Sequence, residues 1–214
     1  METPTDPTAI EHRILEGIAR LATALRAEDW ERSRAAGVNP TQYAILQHLE
    51  GRREGAGVKE IAAQLGVSPP TATDSIQALE RKALVEKAED QRDRRATRVR
   101  LTTAGRTALE TGDALTGALR NTTEGLPAAE KQGLLVTLVS MIRSLQEQGA
   151  IPVQRMCVSC RFFRPYAHPD ASRPHHCDFV NAAFGQSELR IDCRDHAIAD
   201  PASRAATWKV FERG

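Results

Sequence analysis

A chain of 214 residues, 41% of them hydrophobic, is long enough to bury a core as one large domain or as a domain with a small module, which excludes wholesale disorder. No apolar run is long enough to cross a bilayer, and residues 1–8 are Pro/Thr-rich without a basic-then-apolar leader pattern, so a cytoplasmic protein without membrane contact is expected. With 29 Lys and Arg against 28 Asp and Glu the net charge is +1, so the molecule is no polycation and any affinity for a polyanion must come from local charge asymmetry.

In chain order, Ile10, Ile14, Ile18, Leu21 and Leu25 recur at steps of four, four, three and four, which gives one apolar face to a long helix from Ile10 to Trp30. Asn39 before Pro40 is an N-cap followed by proline at the first helical position. Tyr43, Ile45, Leu46 and Leu49 then fill a second helix ending near Gly51. Residues 51–57 read as a loop. Val58 to Leu65 forms a short third helix with Ile61 and Leu65 inward, closed by Gly66 as a left-handed cap. Ser68 caps a fourth helix that starts with Pro69 and Pro70. Ala72, Ile76, Leu79 and Ala83 share one side of it, so Asp74, Gln77 and Arg81 point the other way, flanked by Thr71 and Thr73.

Leu84 to Ala88 and Ala96 to Thr102 read as strands, the second alternating Val99 and Leu101 with Arg98 and Arg100, and the charged turn Asp90 to Arg95 joins them. Gly105 to Asn121 and Ala128 to Gln148 read as helices. The latter places Leu134, Leu135, Leu138, Met141, Ile142 and Leu145 on one stripe, and with the first helix these two are expected to build a dimer interface. Pro152 ends the helical run, and Cys, His, Phe, Pro and Arg then concentrate. The predicted organisation is a disordered N-terminus over 1–8, a mainly α (α+β) winged helix domain with long dimerisation helices over 9–151, and a small Cys/His-rich module over 152–214.

Helix, helix, tight turn, helix and basic hairpin is the order of a winged helix-turn-helix, whose second turn-linked helix fits the DNA major groove. Charge is concentrated in the same place. Residues 81–100 hold eight basic side chains (Arg81, Lys82, Lys87, Arg92, Arg94, Arg95, Arg98, Arg100) against four acidic ones, a local +4 that leaves the rest of the chain at −3. Residues Val58 to Lys87 resemble the helix-turn-helix of the MarR family of transcriptional regulators, and Asp90 to Gly105 resemble its wing with an Asp/Arg-rich tip. By pattern the resemblance extends from about Ile10 to Leu145, and the wing is its more specific part.

The resemblance implies a homodimer that binds a pseudo-palindromic operator, with recognition helices in successive major grooves and wing arginines in the flanking minor grooves. It implies repression relieved by a small molecule or by oxidation. Chemistry agrees: Arg92, Arg94 and Arg95 on a hairpin tip suit a narrow minor groove. Ser68 and the free amides behind it suit a phosphate. Thr71 and Thr73 reach phosphates or thymine methyls, and Gln77 and Arg81 reach base edges or backbone. The sequence departs from the family at Asp74, where arginine is common, at Ala78, and at Ala83, where glycine usually precedes Leu-Val. A carboxylate at Asp74 accepts from cytosine N4 but repels phosphate, so the operator does not carry over. Ala83 predicts an altered exit from the helix.

All four cysteines fall late in the chain: Cys157-x2-Cys160, sixteen residues to Cys177, then fifteen to Cys193. In a cytosolic chain such a set points to a metal or redox site. One CxxC hook and two further thiolates complete either a tetrahedral zinc site or an iron–sulfur cluster among Phe162, Phe163, Phe179 and Ile191, and the spacing does not separate them. Zinc has a slight edge because so short a module lacks a core and needs a structural metal to fold. His196 and His176 are alternative ligands, although His168, His175 and His176 are more often found at the surface or behind the ligands.

Two other classes compete. A metal-dependent enzyme needs an open coordination position and a general base, which four cysteines do not provide, and no nucleophile, phosphate-loop or dinucleotide motif occurs. A protein-interaction module would use the same basic face but lack a steep salt dependence. Trp30, Tyr43 and His48 are the aromatic candidates for an effector cavity, with the core as the alternative place for them.

Overall fold

The computed structural model describes residues 9–89, 97–114 and 117–213. The predicted tail over 1–8 therefore lies outside the described residues. By its internal contacts the chain divides into two compact units, one ending at Gly125 and the other beginning at Leu126.

The first unit opens with α1 (Ile10–Ala35), which runs on past Trp30 because Ser33 returns its hydroxyl to the Trp30 carbonyl at 2.8 Å and no breaker intervenes before Gly37. Helix α2 (Pro40–Leu49) starts on a reciprocal cap: Asn39 accepts the Gln42 N–H at 2.8 Å while the Gln42 side chain accepts the Asn39 N–H at 3.3 Å. Helix α3 (Val58–Leu65) stops at Gly66, whose φ of +65° is the left-handed state that a side chain would strain. Helix α4 (Pro69–Arg81) follows, capped by Ser68.

Tyr43, Ile45, Leu46, Ile61, Ile76 and Leu79 are almost fully buried together, which ties α2, α3 and α4 into one core. Each such side chain contributes about 1.5–3 kcal/mol by leaving water. Strands β1 (Val85–Glu89) and β2 (Thr97–Leu101) pair antiparallel, Val85 opposite Leu101 and Glu89 opposite Thr97. Their alternation sends Val85, Val99 and Leu101 into that core. Ala56, read as loop, exchanges both backbone hydrogen bonds with Val99 at 3.0 and 2.8 Å and so supplies a one-residue third strand. This is the winged helix-turn-helix arrangement that the element order predicts.

Where one helix was expected over Gly105 to Asn121, the described residues contain two, α5 (Thr103–Asp113) and α6 (Ala118–Glu124). Thr102 caps α5 through the Gly105 N–H at 3.0 Å. Gly117 is extended and starts α6 afresh, and Glu28 of α1 accepts the Leu119 N–H at 2.8 Å. Residues 115 and 116 lie outside the described residues. Gly112 is required by a close approach, since a methyl carbon there would stand 2.6 Å from the Tyr43 hydroxyl.

The second unit begins with α7 (Ala128–Glu147). A module starting near residue 152 was expected. The structure groups α7 with the cysteine-bearing segment because Val139 is buried with Met156, Val158, Phe163, Leu189 and Phe211. The single stripe expected on α7 divides into two. Leu135 and Ile142 pack against this core, whereas Leu134, Leu138, Met141 and Leu145 are exposed. Strands β3 (Phe163–Arg164), β4 (His175–Cys177) and β5 (Ala182–Phe184) form a small antiparallel sheet in that order. Helix α8 (Pro201–Phe211) closes the unit. Its signal was present but unread: Asp200 caps it by accepting the Ser203 N–H at 3.0 Å, with proline at the first helical position. Among the described residues no helix is long and apolar enough to cross a membrane.

Candidate nucleic-acid interface and cysteine-lined cavity

The buried row Ala72, Ile76 and Leu79 fixes the rotation of α4, so its other side is set by helical geometry. Ser68, Thr71, Asp74, Gln77 and Arg81 are exposed on it, and Thr73 is half-buried. The Ser68 hydroxyl accepts the Thr71 N–H at 3.2 Å and lies 2.7 Å from the Thr71 hydroxyl. Thr73 returns its hydroxyl to the Pro69 carbonyl at 2.9 Å. The helix therefore presents one carboxylate, one amide and one guanidinium in a row, with two hydroxyls at its N-terminal end. Arg92, Arg94 and Arg95, expected at the wing tip, lie outside the described residues.

The local charge of +4 overstates what this face offers. Lys82 donates to the Gly37 carbonyl at 2.7 Å, and Lys87 pairs with Glu80 at 2.7 Å. Arg98 donates to the carbonyls of Glu54 at 2.9 Å and Gly55 at 2.7 Å and lies 3.6 Å from the Glu60 carboxylate. These cations hold the hairpin to the loop and helices behind it. Sequence spacing could not reveal the carbonyl partners of Lys82 and Arg98, which lie 43 to 45 residues away in the chain.

The effector candidates separate. Tyr43 is buried and donates its hydroxyl to Asp113 Oδ1 at 2.8 Å, His48 is buried, and Trp30 is exposed.

In the second unit, local structure brings the four cysteines to one place. Cys157 opens a single helical turn (Cys157–Ser159), and the Cys160 N–H returns to the Cys157 carbonyl at 2.9 Å, which sets the CxxC hook. Cys177 ends β4, and Cys193 is anchored by its N–H to the Arg155 carbonyl at 2.9 Å. All four are free thiols, and all four line one cavity of about 180 Å3. Phe162, Phe163, Phe179 and Phe184 line it too, with Arg173 and Arg190 among the polar groups. The Arg190 N–H is 3.3 Å from Cys157 Sγ, and its guanidinium is 3.7 Å from Cys193 Sγ. Burial pushes the Cys157 thiol up to about 11. The Arg190 N–H opposes this, and the neighbouring Cys193, Cys160 and Cys177 add to it.

Among the described residues no group of three or more His, Cys, Asp or Glu side chains is arranged to hold a single metal ion, and the four cysteines share the lining of one cavity. No histidine lines the cavity. His196 Nε2 lies 2.9 Å from the Ser159 hydroxyl, and His176 Nδ1 lies 3.1 Å from His168 Nε2. His175 is fully buried, and its ring packs against Phe163, Tyr166, Phe184 and Phe211. Of the two places expected for His175, at the surface or behind the ligands, the surface is excluded: it holds an aromatic core position beside Phe163 and Phe184 of the cavity lining, where burial lowers its pKa.

A family model described as the MarR family matches residues 36–96. No curated protein matches the chain. Among solved structures, the chain is similar to a protein described as a MarR family transcription regulator, at 20% identity and a TM-score of 0.55 over 65% of this chain and 92% of that one. It is similar to the Staphylococcus aureus MepR–DNA complex at 22% identity and a TM-score of 0.52, over 60% of this chain and 94% of that one. CouR from Rhodococcus jostii RHA1, bound to p-coumaroyl-CoA, gives 22% identity and a TM-score of 0.50 over 68% and 97%. At these identities the likeness establishes the winged helix fold. It spans those proteins almost whole and leaves about a third of this chain over.

Proposed function

We propose that the chain is a transcription regulator of the MarR type that binds double-stranded DNA as a homodimer at a pseudo-palindromic operator and acts there as a cytoplasmic repressor. The observation that carries the reading is the exposed row of Asp74, Gln77 and Arg81 on a helix whose opposite side is locked into the core. Such a helix enters the major groove with its N-terminal end toward the backbone, where Ser68 and Thr71 meet phosphate. Thr73, half-buried, offers its methyl at the rim of that contact. Arg92, Arg94 and Arg95 serve the minor groove on either side. The exposed apolar rows of α1 and α7 are the surfaces left for a second copy.

The fold neighbours lend precedent: MepR is known bound to DNA and CouR bound to p-coumaroyl-CoA. A small-molecule effector and a metal- or redox-responsive state of Cys157, Cys160, Cys177 and Cys193 are the two routes of control this reading carries. It makes the protein a regulator and not an enzyme.

Selection of duplexes from a random pool tests it. The wild type should enrich a two-fold symmetric site with half-sites about one helical turn apart. Its affinity should fall steeply and linearly on a log–log plot as salt rises. The triple replacement of Arg92, Arg94 and Arg95 by alanine should abolish retention while leaving the dimer intact. Failure of the wild type to enrich any sequence overturns the reading, and undiminished binding by the triple variant removes the wing from it.

A further inference from the structure

We infer that Cys157, Cys160, Cys177 and Cys193 hold a four-iron, four-sulfide cluster in the cavity that they line, and not a zinc ion. A zinc site draws four sulfurs to within about 2.3 Å of one centre and leaves no room among them. Here the four residues border a space of about 180 Å3. That is roughly an order of magnitude beyond what a single water needs, and a compact eight-atom core suits it where one ion does not.

The lining supports the same occupant. Phe162, Phe163, Phe179 and Phe184 give the cavity an apolar lining, an environment that protects a cluster and sets its potential. Four thiolates on such a core leave a net negative charge, and Arg190 answers it twice, through its backbone N–H toward Cys157 Sγ and its guanidinium toward Cys193 Sγ. Arg173 stands at the same cavity, together with the carboxylate residues Glu188 and Asp195, so it is the contact of Arg190 with the sulfurs and not the net charge of the lining that carries this point. A structural zinc was favoured for want of a core, yet Val139, Met156, Val158, Phe163, Leu189 and Phe211 are buried together in this unit. Binding exchanges four S–H bonds for four S–Fe bonds, with each proton released to solvent and no change in the oxidation state of sulfur.

The test is metal and sulfide analysis of the full chain purified without oxygen. Iron and acid-labile sulfide should be equal and approach four of each per chain, with a brown colour and broad absorbance near ~400 nm. One zinc per chain without sulfide overturns the assignment, as does a metal-free protein. Two irons and two sulfides overturn the four-iron form. Cys177→Ser and Cys193→Ser should each lose the iron while far-ultraviolet circular dichroism stays unchanged, and full retention of iron by either variant counts against its role as a ligand. Should those variants fail to fold, Arg190→Gln keeps every thiol. It should retain the iron and shift the midpoint potential to more negative values, and an unchanged potential removes Arg190 from the site. None of these readouts involves DNA, so their failure leaves the regulator reading standing.

Discussion

Leu84 donates its backbone N–H to the carbonyl of Leu79 at 3.0 Å, across the end of α4. With the Ala83 N–H on the Glu80 carbonyl at 2.8 Å this is a Schellman closure, and Ala83 occupies its left-handed position at φ +56°. The altered exit predicted from Ala83 is therefore the usual glycine geometry, held by an alanine. Thr102 fixes it by donating its hydroxyl to the Ala83 carbonyl at 2.7 Å. Left-handed alanine costs about 1–2 kcal/mol, part of which glycine returns through the greater freedom of its unfolded chain. Ala83→Gly should raise stability by up to about 1 kcal/mol, seen as a higher urea midpoint at unchanged slope. A lower midpoint means that Ala83 carries no strain.

Tyr43 gives the first unit an alkaline limit. Burial first, then its hydrogen bond to Asp113 and the charge of that carboxylate, hold the phenol well above its ordinary value of 10.0. The native state thus binds this proton more tightly than the unfolded chain does. Its contribution is complete below the ordinary value and is lost as pH rises beyond it. The unfolding midpoint of the wild type should fall progressively as pH rises beyond about 10. Tyr43→Phe should flatten that fall while costing about 1 kcal/mol at neutral pH, where Asp113 loses a donor. Equal pH dependence in both proteins would place the alkaline transition elsewhere.

What could be read from sequence follows the range of the interactions involved. Helices α2, α3 and α4 were legible because their caps are local: Asn39 with Gln42, Gly66, and Ser68 with Thr71 lie within a turn of what they close. Ala56 was not, because a one-residue strand has no periodicity and exists only through Val99. The split of α7 into an inward and an exposed apolar side was hidden for the same reason. Leu135 and Leu138 look alike until Phe211 and Met156 claim one of their faces. Cysteine spacing marked the four thiols, whereas the cavity that they share with Phe162, Phe163, Phe179 and Phe184 is a property of the fold around them.

Asp74 is the residue by which DNA contact on α4 can be recognised. It is exposed between Thr71 and Gln77 on the face assigned to the duplex, and a carboxylate there repels phosphate. Asp74→Asn should raise affinity for random duplex several-fold at low salt, an effect that fades at high salt as screening shortens its reach. On a selected operator the same variant should lose discrimination at one base pair if Asp74 accepts from a cytosine, at about 1–3 kcal/mol. Fluorescence anisotropy at two ionic strengths measures both. Identical binding by wild type and variant under every condition means that this face of α4 does not meet DNA.

The row Ile14, Ile18, Leu21 and Leu25 on α1 is exposed in the single chain, with Leu21 at 52% and Ile14 at 50%. None of the four belongs to the buried core of the first unit, so their repetition over more than two helical turns is not explained by folding of that unit. Soluble proteins rarely leave so continuous an apolar row uncovered, and a two-fold related copy covers it with the same row. A carboxylate introduced in its centre must then be desolvated or the pair must part. Leu21→Glu should weaken dimerisation by at least about tenfold, equivalent to about 1.4 kcal/mol, with an unchanged circular dichroism spectrum. Sedimentation velocity across a dilution series reads this directly. Operator affinity should fall with the dimer, because a single recognition helix grips one half-site and forfeits the second. A variant that stays dimeric and keeps its operator affinity would shift the interface from α1 to the remaining exposed row, Leu134, Leu138, Met141 and Leu145 on α7.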